Sequence, residues 1–108
     1  MTAGVPGVQR LIEQPVGEGD ILEAGALRGR VHYHLSVYRH YSDLEGEPVP
    51  AAIEVEGLIG ARDDINLNAL QEHQADLTLR LADGRLLDFS IVDAAGTIRS
   101  TGRGLFRE

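Results

Sequence analysis

The sequence predicts a single, mainly antiparallel all-β domain with one short helix, its six short strands curled into a small barrel or roll. Three observations lead there. From Asp20 onward apolar residues recur with period two, as strands with one buried face require. Turn signals rich in glycine, aspartate and proline interrupt that alternation at hairpin spacing. Helical spacing occurs in one stretch only, residues 64–73. With 108 residues the chain has room for one such domain, and its core is adequate without disulfides, which the lack of cysteine excludes.

Residues 1–19 carry Gly4, Gly7, Gly17 and Gly19 with Pro6 and Pro15, and their apolar cluster is Val8, Leu11 and Ile12. That composition predicts a flexible N-terminal arm before a domain at 20–101 and a tail at 102–108. Leu22, Ala24 and Ala26 then alternate with polar or small residues, and Val31, Tyr33, Leu35 and Val37 do the same beyond Arg28-Gly29. A two-residue turn at Arg28-Gly29 would set Ala26 opposite Val31, Ala24 opposite Tyr33 and Leu22 opposite Leu35. Residues 42–50, with Pro48, Pro50 and several acids, read as a loop. Ile53, Val55 and Leu58 or Ile59 make a third strand with Glu54 and Glu56 outward, and Gly57 and Gly60 mark a bulge or bend. Asp63 or Asp64 caps the helix, whose apolar side is Ile65, Leu67 and Leu70.

The next hairpin carries the clearest signal. A two-residue Asp83-Gly84 turn would mix the faces, whereas a three-residue Ala82-Asp83-Gly84 loop ending in a left-handed glycine sets Leu79 opposite Leu87, Leu77 opposite Phe89 and Ala75 opposite Ile91. A further turn at Asp93–Gly96 brings Ile98 opposite Ile91. Three strands, a helix and three strands form an order like that of an OB barrel with an extra last strand, and an SH3-like barrel fits nearly as well.

All ten basic residues are arginine against seventeen acids, for a formal charge of -7. Residues 1–42 and 76–108 are each balanced, so the excess lies in 43–75, where Asp43, Glu45, Glu47, Glu54, Glu56, Asp63, Asp64 and Glu72 face only Arg62. Such a balance repels phosphate backbones and anionic lipid, so nucleic acid and membrane are poor partners. No apolar run approaches the roughly 18–20 residues of a membrane span, and no signal-peptide pattern opens the chain, so a cytoplasmic location is expected. Arginine-only usage suggests a GC-rich bacterial genome. Thiolate and lysine chemistries are excluded.

Two constellations remain. His32 and His34 share a strand face, with Cα atoms roughly 6.5–7 Å apart from the strand rise. With the turn at Arg28-Gly29, Glu23 falls opposite His34, so Glu23, His32 and His34 form a two-His-one-carboxylate set suited to zinc or ferrous iron. The plainer alternative is a wet strand face, which requires no cofactor. If the acidic segment closes a hairpin, Glu54 and Glu56 lie near Tyr38 and Ser36 with Arg39 close by, a surface for a protein partner or self-association. Tyr33 and Tyr41 face inward and Tyr38 outward, so no row of stacking rings forms for a single strand of nucleic acid. The sequence thus favours a non-catalytic protein-interaction module, with a metal-binding protein or metal-dependent enzyme as the alternative and a weak OB-like oligonucleotide binder as a second.

Overall fold

The computed structural model describes residues 7–44, 47–62, 65–72, 76–102 and 104–107. Among these residues seven strands and one short helix follow one another as β1 (Gly7–Glu13), β2 (Val16–Glu23), β3 (Ala26–Leu44), β4 (Glu47–Ala61), α1 (Leu67–Glu72), β5 (Leu77–Arg80), β6 (Leu86–Ile91) and β7 (Thr97–Ser100). Every strand pairing is antiparallel. β2-β3-β4 and β5-β6-β7 are two meanders; β2 pairs with β5 and β4 with β7, so six strands close into a ring. β1 stands outside it, on β3.

Period two sets what fills the ring. Val31, Tyr33, Leu35 and Val37 of β3 turn inward to meet Val55 and Ile59 of β4, Leu77 and Leu79 of β5, Phe89 and Ile91 of β6, and Ile98 of β7. Each large side chain buried this way stabilises the fold by about 1.5–3 kcal/mol. α1 lies at one end, with Leu70 in the core and Ile65 and Leu67 packed against it. At the other end the tail returns: Phe106 exchanges two backbone hydrogen bonds with Leu86, and Gly104 is buried against Ile53.

The β5–β6 hairpin has the predicted register, Leu79 opposite Leu87 and Leu77 opposite Phe89. Its loop closes through Gly84 N–H to the Leu81 carbonyl at 3.0 Å, with Gly84 at φ 92°. Ile91 faces Ile98 as expected. In the turn between them Asp93 Oδ1 accepts the N–H groups of Ala95 and Thr97, and the Thr97 hydrogen bonds, foremost, hold its carboxyl below the usual range. Ala75, Asp63, Asp64 and His73 lie outside the described residues.

Four expectations change. The first hairpin turns at Ala24-Gly25, both with positive φ, and pairs Glu23 with Ala26. Arg28-Gly29 lies inside β3 at a register shift opposite Ile21 and Leu22, because a break in alternation marks a bulge as readily as a turn. Residues 7–13 and 16–19, read as arm, are strand. Gly17 and Gly19 occupy alternate β2 positions facing Tyr33, where a Cβ on Gly19 would stand 2.3 Å from the Arg80 carbonyl oxygen. The glycines make space for a buried tyrosine, whose hydroxyl accepts the Ala82 N–H at 3.1 Å. Residues 42–44 and 47–50, read as loop, continue β3 and β4, with Pro48 opposite Asp43 and Pro50 opposite Tyr41. The helix starts at Leu67, and Asn66 Oδ1 accepts the Ala69 N–H as its cap.

Beyond the ring, β1, β3 from Val37 and β4 as far as Val55 form a three-stranded arm. The molecule measures 51 × 26 × 21 Å, with a radius of gyration of 15.5 Å. A compact chain of this length would have about 13 Å.

Candidate functional site

The arm has two sheet edges, and their chemistry differs. β4 meets β7 only over Glu56–Leu58, which leaves the edge from 47 to 54 without a strand neighbour among the described residues. Pro48 and Pro50 lie on that edge. A proline nitrogen has no hydrogen, so it fits a ladder only where it faces away from the partner strand, and here both nitrogens blunt the outer edge. A Val55 N–H to Ser100 Oγ hydrogen bond of 3.0 Å closes the far end.

β1 has no such protection. It is the terminal strand of the sheet order, carries no proline over Gly7–Glu13, and exposes Leu11 (47%) and Ile12 (49%). β1 and β2 lie end to end along the same edge of β3, with Leu35 N–H donating to the Pro15 carbonyl where they meet. β5 covers the second edge of β2 over Asp20–Glu23, whereas among the described residues no strand covers the second edge of β1. Glu13 fixes the base of the strand: Arg85 donates to both its carboxylate oxygens while also binding Asp83. The Arg85 hydrogen bonds hold the Glu13 carboxyl below its usual range, the Arg85 backbone N–H does the same for Asp83, and the pairing raises the Arg85 guanidinium further.

Strand alternation sorts the remaining candidates by face. Tyr38 lies opposite Glu54 and Ser36 opposite Glu56, the register expected from the hairpin. Glu54 and Glu56 share the outer face with Tyr38, and Glu54 contacts His40 Nε2 at 3.2 Å. Arg39 differs: it lies opposite Ile53 and projects from the other face, because neighbouring residues of a strand point opposite ways. There it stands directly across from Arg10 of β1. Sequence reasoning missed Arg10, since only the β1–β3 pairing brings it to this face. The Arg10 guanidinium sits 5.8 Å from the centre of the Tyr41 ring.

Glu23, His32 and His34 do not converge. Glu23 binds Arg28 Nε at 2.8 Å, whereas His34 lies between Val16 and Leu58, and His32 between Glu18 and Gly60. Both imidazoles are exposed. Among the described residues no group of three or more His, Cys, Asp or Glu side chains is placed to hold a metal ion.

Concavities also mark the surface among the described residues, two of them beside the elements above. One of about 520 Å³ lies between α1 and the β5–β6 hairpin, with Gln71, Asp76, Thr78, Asp88 and Ser90 on its walls. Thr78 Oγ1 donates to Asp88 Oδ1 at 2.9 Å within it. The other, about 380 Å³, opens where β4 leaves β7, between His40, Glu54, Arg99 and Ser100. No helix among the described residues is long and apolar enough to cross a membrane. Compared with known proteins, the chain matches no family, no curated protein and no solved structure.

Proposed function

We propose that the chain is a non-catalytic docking module that binds an extended polypeptide segment by adding it as a strand to the outer edge of β1. A row of unpaired N–H and C=O groups is a template for another strand, and folded proteins ordinarily blunt it. The supporting observation is the contrast within one arm: prolines blunt the β4 edge, and the β1 edge is proline-free, flanked by exposed Leu11 and Ile12. Main-chain hydrogen bonds would supply affinity, and the side chains on the two faces of β1 would supply selectivity.

The test is selection of a randomised heptapeptide display library on the full chain, followed by binding of the enriched peptides to a Leu11→Ser/Ile12→Ser variant. Both side chains are exposed, so the fold tolerates serine there, and the exchange removes the apolar groups that flank the edge without adding charge. Enriched peptides free of central proline that lose binding to the variant support the proposal. Peptides that bind the variant as well as the wild type, or a library that yields none, overturn it.

A further inference from the structure

Resting on strand addition at β1, we infer that the preferred segment is acidic, with carboxylates at alternate positions on the face shared by Arg10 and Arg39. These arginines are cross-strand neighbours, a like-charged pairing that disfavours the free sheet. Neither has a carboxylate partner among the described residues. The acids nearest along the strands are committed elsewhere: Glu13 binds Arg85, and Glu54 contacts His40 on the opposite face. Tyr41 holds Arg10 on the arm surface, within the distance at which a ring face attracts a guanidinium. Arg39 is half-buried, and no hydrogen bond or ion pair engages it among the described residues.

An added strand would lie about 4.8 Å from β1 and roughly 10 Å from β3. Its side chain opposite Arg10 is then a direct cross-strand neighbour. Two long side chains span the distance to Arg39. Because side chains alternate, a segment of the form acid–apolar–acid places every carboxylate on the arginine face and every apolar group beside Leu11 on the other. Guanidinium forks match carboxylates bidentately, so each contact is charge-assisted. The overall charge of -7 opposes an acidic ligand at a distance, but in about 0.1 M salt charges beyond about 10 Å are screened and the contacting pair decides.

The experiment uses the full chain and end-blocked hexapeptides: alternating Val-Glu, alternating Val-Gln, alternating Val-Lys, and a block-ordered Val-Val-Val-Glu-Glu-Glu control, with oligothymidylate as a phosphate probe. Binding is read by anisotropy and backbone amide protection. Alternating Val-Glu is expected to bind at least about tenfold tighter than Val-Gln, as loss of a charged hydrogen bond implies. Block-ordered peptide should be similarly weakened and Val-Lys weakest. Arg10→Gln/Arg39→Gln should equalise the Glu and Gln peptides while amides of β1 stay protected. Equal binding of those two peptides by the wild type, with β1 protected, overturns the acidic preference and leaves strand addition standing. If no peptide protects β1, strand addition itself fails. Arginine-dependent oligothymidylate binding tighter than Val-Glu would make the pair a phosphate site and overturn the inference.

Discussion

Gly19→Ala separates two meanings of the N-terminal glycines by its effect on stability. In β2 a Cβ at this position meets the Arg80 carbonyl oxygen at 2.3 Å and Tyr33 Cε2 at 3.2 Å. The oxygen belongs to backbone paired with β2, Asp20 lying opposite Arg80, so relief requires β2 and β5 to separate or Tyr33 to leave its place. Overpacking of this kind costs about 1–3 kcal/mol, and a clash with backbone belongs at the upper end. In an arm flexible in the folded and unfolded states alike, the same substitution would be neutral, because the change in chain entropy cancels. At about 4–8 °C per kcal/mol for a small domain, the strand position predicts a loss of roughly 10 °C or more in Tm. Urea unfolding with an unchanged slope would confirm that stability alone moved. Gly60→Ala is the control, because nothing lies within 4 Å of its added carbon. A Gly19→Ala protein as stable as wild type, or more so, would refute the placement of 16–20 in the ring.

Tyr33→Phe removes the acceptor of the Ala82 N–H and should cost about 1 kcal/mol by urea denaturation; no change would mean that this hydrogen bond contributes nothing to the β5–β6 loop. Glu13 has a lowered folded pKa, so its pairing with Arg85 stabilises fully above the ordinary carboxylate range and is lost as pH falls through the folded value. Thermal melts should therefore decline on acidification, and Glu13→Gln should flatten that decline; an unaltered pH profile would count against the clamp at the base of β1. Zinc titration followed by ¹H–¹⁵N spectra should show weak shifts at His32 and His34 and none at Glu23, which Arg28 holds. Tight saturation that includes Glu23 would contradict the observed hairpin.

Local turn chemistry was legible where it admitted one solution. In the β5–β6 hairpin, only a three-residue loop keeps Leu77, Leu79, Leu87 and Phe89 on one face, and that register is present. At Arg28-Gly29 turn and bulge satisfy the same local pattern, and only the pairing of β2 with β5 as well as β3 distinguishes them. That ambiguity placed Glu23 beside His34. Gly17 and Gly19 resemble linker residues because nothing local reveals Tyr33 lying across them. Pro48 and Pro50 signal a loop by composition, yet an edge strand accepts them with their nitrogens outward. The candidate site was half visible: Tyr38, Glu54 and Glu56 follow from the β3–β4 hairpin, whereas Arg10 reaches Arg39 only through β1, and two sequence-distant strands must pair before the basic face exists.

The most direct measurement is site-resolved amide exchange across the arm, with and without the alternating Val-Glu peptide. Strand addition predicts new protection at alternate amides of Gly7–Glu13, those whose N–H groups face away from β3, with the β4 edge unchanged. Protection along 47–54 instead, or none on β1 at saturating peptide, would contradict it.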